Sequence, residues 1–77
     1  MTFKANSIND AMCQALEMKG LTETAYPDNG ASVEVPYHFE KAENALIQVF
    51  DIGGVNFPKR YWKDPQVKRG EVTFVEC

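Results

Sequence analysis

Histidine and tryptophan each occur once in this chain of 77 residues, and cysteine only twice. His38, Cys13 and Cys77 stand far apart, without the paired C-x-x-C or H-x-x-x-H spacing that a zinc site needs. The sequence therefore predicts no bound metal and no cofactor. No stretch approaches the roughly 18 consecutive apolar residues of a membrane span. The segment Met1–Ser7 shows no basic stretch leading into an apolar run, so neither membrane insertion nor export is expected. Cys13 and Cys77 could form one disulfide, but with no leader visible the expectation is a cytoplasmic protein with two free thiols. Gly53-Gly54 is followed by neither Lys-Ser/Thr nor a helix pattern, which excludes a phosphate-binding loop.

Catalytic chemistry is equally thin. A Cys13–His38 or Cys77–His38 dyad is conceivable, but no nucleophile elbow or glycine-rich turn accompanies either thiol. His38 is expected to be solvent-facing or satisfied by neighbours. The Glu40/Glu43 pair reads as a solvated turn. A fold this small has little room for a desolvated pocket, and no enzyme is expected.

What is present is an ordinary globular composition, 44% hydrophobic and 25% charged, enough for one small domain over residues 1–77. Ser7 and Asp10 have the spacing of an N-cap. Ile8, Ala11, Met12, Ala15 and Leu16 recur at helical period, and Gly20 follows, predicting a helix over about residues 8–19 with Ile8, Met12 and Leu16 buried. Pro27-Asp28-Asn29-Gly30 predicts a turn between strands at 21–26 and 31–37, with Pro36 ending the second or confining it to an edge. Residues 39–50 fit a helix or a strand by pattern. The Gly53-Gly54 turn favours strands at 45–52 and 55–61, paired so that Ile52/Val55, Phe50/Phe57 and Leu46/Tyr61 share one side. In that register Pro58 faces Val49 in a pair that needs no N–H, and Trp62 points away from the core. Asp64-Pro65-Gln66 reads as a loop, Arg69-Gly70 as a turn, and residues 71–77 as a closing strand. The predicted fold class is α+β: one N-terminal helix packed on a mostly antiparallel sheet of four to five strands.

Charge is unevenly placed. Residues 1–58 hold three lysines against eight carboxylates, and residues 70–77 add Glu71 and Glu76. Between them Lys59, Arg60, Lys63, Lys68 and Arg69 surround one acid, Asp64, with Tyr61 and Trp62 interleaved. These seven basic and aromatic residues are the candidate binding site. An exposed Trp flanked by Arg and Lys has the composition of a protein-interface hot spot. The leading expectation is thus a non-enzymatic module that occupies another protein's surface, as inhibitors and regulatory accessories of phage and mobile elements do. The same residues offer phosphate contacts and base stacking, which makes nucleic acid the alternative partner. A homodimer is the third reading, because pairing buries apolar area that a small domain leaves exposed.

Overall fold

The computed structural model describes residues 1–26 and 30–77, with Pro58 and Lys59 described through their backbone alone. In chain order the elements are β1 (Thr2–Lys4), α1 (Ile8–Glu17), β2 (Thr22–Ala25), β3 (Val33–Ala42), β4 (Ala45–Ile52), β5 (Val55–Lys68) and β6 (Glu71–Glu76). All the strand pairs are antiparallel, and the described strands form one six-stranded sheet in the order β1-β6-β5-β4-β3-β2. The predicted four to five strands are thereby corrected: the molecule is mostly sheet, curled into a half-barrel, with one short helix.

The helix starts as its sequence dictates. Ser7 is extended, and its Oγ accepts the backbone N–H of Asp10 at 3.1 Å. It ends two residues early, at Glu17. Met18 leaves the helix in an extended conformation while its N–H reaches the Ala15 carbonyl at 3.3 Å. Gly20, at φ 67°, shapes the link to β2 instead of capping the helix. Ala11, Met12 and Ala15 are buried, whereas Ile8 is half-buried and Leu16 exposed, so the expected Ile8/Met12/Leu16 side is rotated toward small residues. Two alanines let the helix axis lie close over the sheet. The Gln14 side chain also donates to the Lys4 carbonyl at 2.8 Å, fixing the helix against β1.

Residues 39–50, ambiguous by pattern, are strand throughout except for the two-residue turn Glu43-Asn44, where Asn44 takes φ 51°. Asn tolerates that left-handed geometry better than most residues. Pro36 neither ends β3 nor confines it to an edge. It pairs with Thr22 on β2, and the Tyr37 N–H bonds the Leu21 carbonyl at 3.0 Å. Alternation then turns the N–H-less nitrogen of Pro36 toward β4, where the ladder begins only at Tyr37↔Phe50. The turn expected at Pro27–Asn29 lies outside the described residues.

Gly53 and Gly54 both have positive φ, 59° and 79°, the geometry that a two-residue hairpin turn requires. Arg69 and Gly70 repeat it at 53° and 77°. The stretch read as a loop, Asp64-Pro65-Gln66, is instead part of β5. The β5–β6 register slips by one residue between Lys63 and Gln66, and Asp64 sits at φ 51°. A bulge here absorbs the proline, which cannot donate to β6.

The core lies between α1 and the inner, concave side of the sheet. Phe3, Ala11, Met12, Ala15, Phe39, Leu46, Val72 and Phe74 are buried there, with Trp62 and Tyr37 packed against them. Phe3 and Phe74 meet edge-on, ring centroids 6.0 Å apart. Among the described residues no helix is long and apolar enough to cross a membrane.

Candidate interaction surface

The β4–β5 hairpin decides where the predicted site residues go. From Ile52↔Val55 to Val49↔Pro58 its register is the one the glycine turn implies. Then the register shifts: Gln48 pairs with Arg60, Ile47 with Tyr61 and Leu46 with Trp62. Lys59 is the extra residue of a β-bulge. Because side chains alternate faces, a one-residue slip exchanges inside for outside. Trp62 therefore faces the core, correcting its expected outward position, and Tyr61 faces out at 43% exposure instead of lining the core.

Trp62 is half-buried, and its indole N–H donates to Gln48 Oε1 at 3.0 Å. Gln48 is only 3% exposed, so this bond satisfies a polar group that burial would otherwise penalise. The charge pattern does not mark Gln48. Its isolation inside Ala-Leu-Ile-Gln-Val-Phe was the signal that a polar partner stands opposite.

Arg60 also turns inward. Its guanidinium bonds Glu23 of β2 through Nη1 and Glu76 of β6 through Nε at 3.1 Å, and it lies over the Phe50 ring, 5.9 Å from the centroid. The Glu23 bond, followed by the field of both carboxylates, raises the Arg60 pKa and holds it charged. In a flat sheet β2 and β5 would lie about 14 Å apart, three strand spacings. The direct Arg60–Glu23 contact is thus a clasp across the curled inner side. The cation the sequence marked for a partner is neutralised by the chain's own carboxylates.

The remaining site residues do not converge. Tyr61 and Lys63 share the outer face, with Lys63 Nζ 5.8 Å from the Tyr61 ring centroid. Lys68 closes the β5–β6 ladder opposite Glu71, and Arg69 occupies the turn. At ~3.3 Å per residue Lys68 lies up to about 26 Å from Arg60 along the strand. The Lys59 side chain is outside the described ones. Of the predicted site, Arg60 and Trp62 thus face inward, Tyr61 and Lys63 face outward, and Lys68 and Arg69 lie at the far end of β5 and in the turn after it.

His38 meets no thiol. Its ring nitrogens face Glu40 Oε2 at 3.0 Å and Asp51 Oδ2 at 3.1 Å, on the outer face. The Glu40 hydrogen bond, then that of Asp51, raises its pKa. Cys13 is exposed on the helix, which covers the opposite face of the sheet, and Cys77 is tied to the Tyr61 carbonyl, three strands from β3. Neither dyad can form in this arrangement. An open cleft of about 460 Å³ is lined by Ile8, Glu43, Asn44, Ala45, Lys63, Asp64 and Pro65. No group of His, Cys, Asp and Glu among the described residues is placed to hold a metal.

A surface that the charge pattern did not mark lies beyond the clasp. Ile52, Val55 and Phe57 are 50%, 53% and 49% exposed, and pairing puts all three on the inner face past the reach of α1. Val33, also exposed, stands on the same face of β3. β6 begins its pairing with β5 only at Trp62, so no described strand flanks Val55–Arg60 on that side. Comparison with protein-family models, curated proteins and solved structures gave no match.

Proposed function

We propose that this protein is a non-enzymatic interaction module that engages another protein through the bare end of its sheet. The observation that carries the reading is the gathering of Ile52, Val55 and Phe57, half-exposed, on one hairpin beside an unflanked strand edge. A large apolar patch rimmed by polar groups is costly to leave in water and marks contact surfaces. Tyr61 and Lys63 extend the contact to the outer side, keeping part of the basic-aromatic segment in the site. The role remains that of an inhibitor or regulatory accessory acting in the cytoplasm. Two free, exposed cysteines support a reducing compartment. Nucleic acid is the weaker reading, because Arg60 is internally paired and the remaining cations are dispersed.

The test places a photo-crosslinking residue at Ile52 and, as control, at Lys19 beyond the helix. In native cells, Ile52 should yield an adduct with a defined protein, identified by mass spectrometry, that Phe57→Asp removes. Equal adducts from both positions, or adducts insensitive to Phe57→Asp, would overturn the reading.

A further inference from the structure

We infer that the bare edge of β5 pairs antiparallel with the same edge of a second copy of this chain, about a two-fold axis at Asn56. This rests on reading the bare end as a contact surface and names its occupant.

The two-residue turn makes Ile52↔Val55 a hydrogen-bonded pair, so alternation gives Phe57 inward bonds to β4 as well. Asn56 then directs both its N–H and its C=O away from β4. Pro58, two residues on, faces the same way but offers only a carbonyl. A partner strand running the length of the edge would meet the missing donor at Pro58 and then the bulge at Lys59. Two-fold pairing at Asn56 avoids both. The donor and acceptor of one residue satisfy the same residue of the other copy, and Gly54 falls opposite Pro58. Val55 of each copy faces Phe57 of the other, so four half-exposed apolar side chains cover one another.

Charge selects the same place. The chain carries a net charge of −3, so two copies repel. Residues 52–63 contain no carboxylate, although the whole chain holds eleven. The segment Gly54–Pro58 carries no charge of either sign. The outermost strands β1 and β2 are guarded differently: they are three and four residues long and carry Lys4 and Glu23. Charges along an edge discourage pairing, and the stretch of β5 from Val55 to Pro58 carries none. A contact this narrow belongs to the weak class below about 1,200 Å².

A Cys13→Ser/Cys77→Ser chain carrying Asn56→Cys should form an intermolecular disulfide under copper-phenanthroline oxidation. Hydrogen-bonded antiparallel pairs stand about 5.5 Å apart at Cα, within disulfide reach. The same chain with Lys19→Cys should not cross-link at equal concentration. The unmodified chain should sediment with a mass rising from 8.7 kDa toward twice that as concentration increases. Phe57→Asp should abolish the rise, and Val55→Thr, a milder change, should weaken it. A mass that stays monomeric at millimolar concentration overturns the pairing. So does a dimer in which Asn56→Cys cross-links no faster than Lys19→Cys. A monomeric chain that still gives the Ile52 adduct with a different protein rejects the second copy and keeps the interaction module. A monomeric chain that gives no Ile52 adduct at all rejects both.

Discussion

The two ends of this sheet are built from the same kind of residue and meet opposite fates. At one end α1 lies over Phe39, Leu46, Val72 and Phe74, which are all buried. At the other, Ile52, Val55 and Phe57 are as apolar but have nothing above them among the described residues. Between the two stands a polar boundary of Trp62–Gln48 and Glu23–Arg60–Glu76. A helix of ten residues is about 15 Å long, and the molecule is 43 Å in its longest dimension. The helix cannot cover both ends. The difference teaches that hydrophobicity alone did not place the core; the reach of the one covering element did.

The sharpest way to break this comparison is to truncate one residue at each end. Leu46→Ala should cost about 2–5 kcal/mol by urea denaturation, since Leu46 is fully buried. Phe57→Ala should cost under about 1 kcal/mol, as exposed substitutions do. Equal losses would mean that the bare end is covered in solution, by a second copy or another element.

Next come the boundary residues. Trp62→Phe keeps an aromatic side chain but removes the indole N–H, leaving Gln48 Oε1 buried without its donor, a loss of about 1–3 kcal/mol. Adding Gln48→Leu to that variant should recover most of it, and a double variant no better than Trp62→Phe would refute the pairing. Arg60→Met opens the clasp. Because its partners are about a third to half exposed, solvent screens the pairs, and the expected loss is about 1 kcal/mol, shrinking as salt is added.

The smallest effect lies on the outer face. The folded pKa of His38 is raised above its unfolded value by Glu40 and Asp51. Its stabilisation is therefore fully present below the unfolded pKa near 6.5 and is lost as pH rises through the folded value. The side chain is 39% exposed, so after screening the contribution is a fraction of a kcal/mol, of order 0.5. Melting temperature should fall slightly from pH 6 to pH 8, and His38→Gln should flatten that slope.

Much of this fold was legible wherever a local rule decides the outcome. Ser7 fixes a helix start, Gly53-Gly54 and Arg69-Gly70 fix turns, and the glycine turn sets the hairpin register as far as Pro58. What the sequence concealed depends on the whole sheet. β1 is three residues long, too short for a period, and exists because Phe3 packs on Phe74. The bulge at Lys59 has no residue signature of its own. Missing it exchanged inside for outside at Tyr61 and Trp62, so the indole expected to face away is the one that packs on the core. The bare hydrophobic end was visible as Ile52, Val55 and Phe57 on one side, but only the short reach of α1 shows that nothing covers them.

One consequence of the strand order concerns the chain as it is made. Phe3 pairs with Val72, and the backbone of Met1 exchanges hydrogen bonds with Phe74, so β1 waits for partners that follow it by a separation of up to 73 residues. Until residues 72–74 clear the ribosome, α1 has an incomplete floor and its apolar side stays open to chaperones. A chain that stops short of Phe74 should then behave as a folding defect, felt at β1 and under α1.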